Sequence, residues 1–200
     1  MAHVSQRAPQ LFTILLTLWL VGGCTTLLPQ PEPAPSRFDL GPLPETVQND
    51  SNLVGIRLQG VRAPSWLAGA EIPYRQLHRR AEAVNHYSAH SWIAPPSEML
   101  GVWLGQMLMA DGDTAERWRL EVDLLSFEQV FMSASEAKAT IVLHASLQRR
   151  GGDDRIHQRR FTSAVPVTAD VNGAIEGLPR VADTALRELA AWAIEVTASH

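Results

Sequence analysis

"RWRLEVDLL", Arg117 to Leu125, places Trp118, Leu120, Val122 and Leu124 on one side of an extended chain and Arg119, Glu121 and Asp123 on the other. Side chains alternate across a strand with period two, so this stretch predicts a strand with one face in a core and the other in water. A sheet wetted on one side is built mainly from antiparallel pairs and carries its helices on the dry side. Beyond Leu125 the alternation slips by one residue, which predicts a bulge.

The neighbouring segments extend the same pattern. In "ATIVLHASLQRRGGDDRIHQRRFTSAVPV", residues 139–167, Ile141, Leu143, Ala145 and Leu147 alternate with polar residues up to "GGDD", and a second strand returns from Arg155 to Val165. The glycines suit a reversal, so the segment predicts a long hairpin with Asp153 and Asp154 as turn residues rather than an acid–base pair. Upstream, "NLVGIRLQGV" at 52–61 alternates with one buried face, and "EIPYRQL" and "AEAVNHY" predict shorter strands on either side of "HRR". "PPSEMLGVWLGQMLMADG" changes period: Leu100, Trp103, Leu104, Met107 and Leu108 share a helical stripe, with Pro96 in the first turn and Gly112 at the stop. At the C-terminal end, Val181, Ala185, Leu186, Leu189, Ala193 and Val196 form a second stripe, and Pro179 predicts a start or a kink away from a shorter helix at 170–177. Strands, helix, strands, helix is an α+β order: a largely antiparallel sheet with two main helices packed on one face.

The 200 residues, 46% of them hydrophobic, suffice for one ordinary core. A formal charge of −4 gives no cationic field for nucleic acid. Catalytic signatures are missing from the sequence: it contains no GxxxxGK[ST] phosphate loop, no HExxH and no GxSxG. His86 and His90 are spaced to share a helical face as metal ligands, but "NHYSAHSW" lacks helical periodicity and no third ligand is evident, so no metal and no cofactor are expected. The chain reads as non-enzymatic.

Cys24 is the only cysteine, and its setting is specific. A cationic start at Arg7, an apolar run from Leu11 to Val21 and the small pair Gly22 and Gly23 are the three parts of a secretory signal. The run is about half the ~20 apolar residues that cross a bilayer. "VGGC" resembles the bacterial lipobox, which implies cleavage between Gly23 and Cys24 and attachment of a diacylglyceryl group and an N-acyl chain to Cys24 as the covalent membrane anchor. One acyl chain binds membranes marginally and several bind almost irreversibly, since each buried methylene contributes about 0.8 kcal/mol. Thr25, where an aspartate would retain such proteins at the inner membrane, resembles a signal for the periplasmic face of the outer membrane. Prolines at 29, 31, 33 and 35 then fix φ and remove amide donors, so the stretch to Arg37 reads as a tether with a reach of about 35 Å. The expected organisation is a signal peptide at 1–23, a lipidated N-terminus and tether at 24–37, and a periplasmic domain at 38–200.

"YSAHSWIAPPSEMLGVWLGQML", residues 87–108, is similar to the signature of the ABC-type transport auxiliary lipoprotein family, with Tyr87, His90, Trp92, Pro95 and Pro96 as the matching positions. The likeness extends in layout over Phe38 and Leu40, Pro64 to Leu67, and "EIPYRQ", while "SWLAG" and Pro179 depart from the family pattern. The resemblance implies a non-catalytic component of a cell-envelope transport system. Its partners would be an MCE-type substrate-binding protein, an ABC permease and an ATPase, and its cargo phospholipid or another hydrophobic solute. Tyr87, His90, Trp92, Trp66 and Trp192 are the candidate partner surface, with homo-oligomerisation through sheet edges and tryptophans as a further expectation. Two alternatives stand beside it: a lipoprotein with its own lipid pocket, and an envelope enzyme without a known motif.

Overall fold

A computed structural model describes residues 34–42, 55–108, 117–151 and 155–199, and Pro35–His200 forms one compact unit. The signal segment, Gly23, Cys24, most of the tether, and the acidic pair Asp153 and Asp154 lie outside the described residues.

Seven strands form one sheet. Strand β5 (Trp118–Phe131) is its axis, paired antiparallel with β6 (Ala137–Arg149), which pairs antiparallel with β7 (Ile156–Val167). Trp118, Leu120, Val122 and Leu124 are all buried, the last three opposite Leu147, Ala145 and Leu143 of β6, while Arg119 and Glu121 are exposed. The ladder then skips Leu125, which stands 42% exposed, and resumes at Ser126 opposite Val142. This bulge moves the core face onto odd numbers, so Phe127, Gln129 and Phe131 point inward.

The other edge of β5 is divided between two strands. Its first half pairs with β2 (Ile56–Arg62) and its last three residues with β3 (Glu71–Gln76), both parallel. Strand β4 (Arg80–Trp92) pairs antiparallel with β3, and the short β1 (Ser36–Phe38) lies parallel along the end of β4. The longest pairings are thus antiparallel, with three parallel contacts added by segments that arrive from elsewhere in the chain. Ser36 and Arg37 belong to β1, so the tether ends two residues earlier than its composition suggests.

Helix α1 (Pro96–Met107) buries Met99, Leu100, Trp103, Leu104 and Met107 and meets β2. Helix α2 (Val171–Ala198) lies across β5, β6 and β7. Its N-cap is Asp170, whose Oδ1 accepts the Gly173 N–H at 2.9 Å; that bond and the Thr168 hydroxyl hold the carboxyl below its usual range. A Cβ at Gly177 would overlap Val167 Cγ1 and Ala139 Cβ, so glycine is what lets the helix backbone lie directly on β6 and β7. Pro179 neither starts this helix nor divides it: α2 is continuous over 28 residues with Pro179 inside. An interior proline costs about 3 kcal/mol, and the fully buried Leu178, Val181 and Ala182 beside it offset that through their packing.

Candidate functional site

The stretch from Tyr87 to Pro96 supplies two structures rather than one surface. Tyr87 lies half-buried against Tyr74, ring centroids 4.7 Å apart, and its hydroxyl donates to Gln129 Oε1 at 2.6 Å. Gln129 is fully buried, and its Nε2 donates to the carbonyls of Thr168 at 2.8 Å and Asp170 at 3.0 Å. One amide therefore ties β4, β5 and the turn that starts α2. Burial raises the Tyr87 phenol above its ordinary range, which keeps it neutral and a donor.

Trp92 closes β4 and is 1% exposed, with its ring 6.0 Å from Phe127. Trp192 is 7% exposed and packs edge-on to Phe161. Both are core side chains and are withdrawn from the expected partner surface and from any tryptophan-mediated ring. Trp192 lies seven residues after Ala185 and three after Leu189, so it shares the buried stripe of α2 and reaches Phe161. His90 is half-buried and stacked on Phe38 at 5.8 Å, and Trp66 alone of the named tryptophans is open to solvent, on the turn Ser65–Leu67. His86 and His90 both lie in β4; strand residues four apart are about 13 Å from one another, so they do not share an ion. Among the described residues no three His, Cys, Asp or Glu side chains gather as metal ligands.

The diproline builds the second structure. Pro95 caps α1 and Pro96 opens it, so the chain turns sharply out of β4 and leaves Ile93 56% exposed beside Val102, which is 59% exposed. Between this turn, α1 and the residues that follow β1 is a cleft of about 480 Å³ lined by Leu40, Ile93, Met99, Val102 and Trp103. Two exposed carboxylates, Asp39 and Glu98, also line it, and among the described residues no cation does. The cleft escapes a reading of the sequence because its wall is split between residues 39–42 and 93–106. The signal it does leave is Val102, an apolar residue outside the buried stripe of α1.

A polar cluster occupies the open face of the sheet. Arg62 donates to Asp123 at 2.8 Å and reaches Glu121 at 3.2 Å, and His144 Nδ1 lies 3.8 Å from Asp123. Ser146 is on the same face, but its hydroxyl is engaged by Gln158 Nε2 at 3.2 Å. The contact that would activate a serine nucleophile, Ser146 to His144, is not made.

No family model matches the chain, and no curated protein matches it. Among solved structures, a Xanthomonas campestris protein described by the family model DUF330 matches with a TM-score of 0.63 and 18% identity, covering 86% of this chain and 92% of its own. A second match, an uncharacterised protein, has a TM-score of 0.59 and 15% identity over 79% of this chain and 97% of its own. A structure from Caulobacter crescentus CB15, named provisionally as a lipoprotein, matches at a TM-score of 0.42 and 15% identity over 52% of this chain and 84% of its own, too distant to carry an argument. The structures matched above a TM-score of 0.5 are a DUF330 protein and an uncharacterised protein and not a transport auxiliary lipoprotein, so the family membership read from Tyr87, His90, Trp92, Pro95 and Pro96 is corrected: those residues build a tied strand and a turn into a helix. What the chain shares with the DUF330 protein from Xanthomonas campestris is its fold.

Proposed function

We propose that the chain is a non-catalytic docking module of the cell envelope, held at the periplasmic face of the outer membrane by acyl chains on Cys24 and gripping a partner through the cleft beside α1. The proposed partner is the MCE-type substrate-binding protein of an ABC transport system that moves phospholipid or another hydrophobic solute. The sequence has no phosphate loop, so energy in such a system would come from the separate ATPase and passage through the inner membrane from the permease.

The observation that carries this reading is the cleft: exposed Ile93 and Val102 over a buried floor of Leu40, Met99 and Trp103, with carboxylates at its edge. Apolar anchors in a pocket with a polar rim are what concentrates binding energy at protein interfaces. The second reading, a pocket for lipid, is favoured by the apolar lining and opposed by Asp39 and Glu98, which would repel a phosphate headgroup.

Ile93→Asp combined with Val102→Asp is expected to weaken co-purification of the MCE-type protein from detergent-solubilised envelopes by roughly tenfold or more. Both side chains are exposed, so the melting temperature and the membrane residence of the lipoprotein stay as in the wild type. Undiminished co-purification places the grip elsewhere. Loss in the double variant of lipid that copurifies with the wild-type protein, in place of loss of a protein partner, makes the cleft a lipid pocket.

A further inference from the structure

One end of the sheet gathers three turns: the β3–β4 turn at Leu77 to Arg79, the β5–β6 turn beginning at Met132, and the β7–α2 turn at Ala169 and Asp170. The Leu77 N–H donates to the Phe131 carbonyl at 3.0 Å, which sets the first two side by side. Their tips expose large apolar side chains, Leu77 at 40% and Met132 at 47%, next to exposed His78, Arg79 and Arg80. Arg75 is engaged, its Nε on Glu128 at 3.2 Å and its Nη1 on the Ala81 carbonyl at 2.9 Å. Arg79 and Arg80 form no ion pair among the described residues. A hollow of about 490 Å³ separates the turns, with Tyr74, Tyr87 and Phe131 in its wall and His78 and Arg79 beside them. The Asp170 carboxylate also lines it and is occupied by the Gly173 N–H and the Thr168 hydroxyl as the cap of α2.

We infer that this end of the domain is a second membrane contact, seated on the headgroups of an anionic phospholipid bilayer. Leu77 and Met132 enter the headgroup boundary, and Arg79 and Arg80 meet the phosphates, the division of labour of a peripheral membrane surface. The direction of the chain agrees. Strand β1 runs parallel to β4 with Ser36 opposite His90, so the polypeptide reaches β1 from the side where β4 begins, which is the side of the turns. Arg80 to His90 spans about 33 Å of strand, and any twelve residues of proline-rich chain have a maximum reach of about 35 Å, so the proposed anchor is long enough for the tips to meet a bilayer. The inference rests on the proposed anchor for the bilayer it meets; the cleft at α1 plays no part in it.

The test uses the processed, acyl-free chain from residue 24 with Cys24→Ser, sedimented with vesicles of equimolar phosphatidylglycerol and phosphatidylcholine or of phosphatidylcholine alone. Binding is expected to the anionic vesicles and not to the neutral ones. Arg79→Gln with Arg80→Gln lowers the partition coefficient about 25-fold, about fivefold for each arginine, and Leu77→Ser with Met132→Ser lowers it roughly tenfold. Ile93→Asp with Val102→Asp leaves it unchanged. Absence of binding, equal binding to both vesicles, or indifference to the loss of both arginines overturns the inference. A bare thiol at position 24 in cells would defeat the anchor and leave the vesicle result standing, so the two failures are distinguishable.

Discussion

In a high-salt wash, Cys24→Ser is expected to move the protein from the membrane fraction to the soluble fraction. The variant needs a signal sequence that is cleaved without prior acylation, because an uncut apolar N-terminus would itself hold the chain in a membrane. Among the described residues no helix is long and apolar enough to cross a bilayer. Several acyl chains bind so tightly that the wild type should survive a high-salt wash in full. The turn contact through Arg79 and Arg80 is electrostatic and releases in the same wash, so the variant retained at low salt and lost at high salt fits both claims. Retention of the variant at high salt, at the wild-type level, rules out the anchor.

Gln129→Leu is expected to be strongly destabilising although it leaves the volume of the core intact. Leucine fills the same volume in the same fully buried place, so packing is conserved and the lost bonds decide the outcome. Three partners are stranded: the carbonyls of Thr168 and Asp170, and the Tyr87 hydroxyl. Leaving buried polar groups unpaired costs about 1–3 kcal/mol each, hence about 4 kcal/mol in sum with some relief from water at the half-buried end. Against a total stability of about 5–15 kcal/mol this brings the fold near its threshold, and the melting temperature falls by about 12 °C. Tyr87→Phe removes one of the three bonds and costs about 1 kcal/mol. A Gln129→Leu melt within a degree or two of wild type would mean that the amide is not the tie between β4, β5 and the start of α2.

The period-two pattern carries β5 and β6 almost residue by residue because each has one dry face, β7 is legible as the return arm after the glycines, and even the bulge at Leu125 is written in the slip of that pattern. The helix α1 is legible for the same reason, through Leu100, Trp103, Leu104 and Met107. Partners of strands are less so. Nothing local in Ile56–Arg62 or Glu71–Gln76 tells that both add in parallel to one edge of β5, since that pairing is chosen by tertiary contact and not by alternation. Pro179 shows the opposite conflict: a strong local breaker is overridden because Leu178, Val181 and Ala182 gain more by staying on the sheet than the helix loses at one turn. Aromatic residues mislead about contact surfaces for a related reason. Trp92 and Trp192 look like interface anchors in one dimension, and both turn out to fill the core. The cleft proposed as the contact surface is assembled from two distant segments, with only Val102 as a trace in the sequence.

Photocrosslinking from position 102 in intact cells tests the docking role most directly. A benzophenone side chain at 102 is expected to give an adduct with the periplasmic domain of an MCE-type transport protein, which disappears on Glu98→Lys and is absent when the probe is placed at Arg160 on the open face of the sheet. Adducts with lipid alone, or the same protein captured equally from 102 and 160, contradict it.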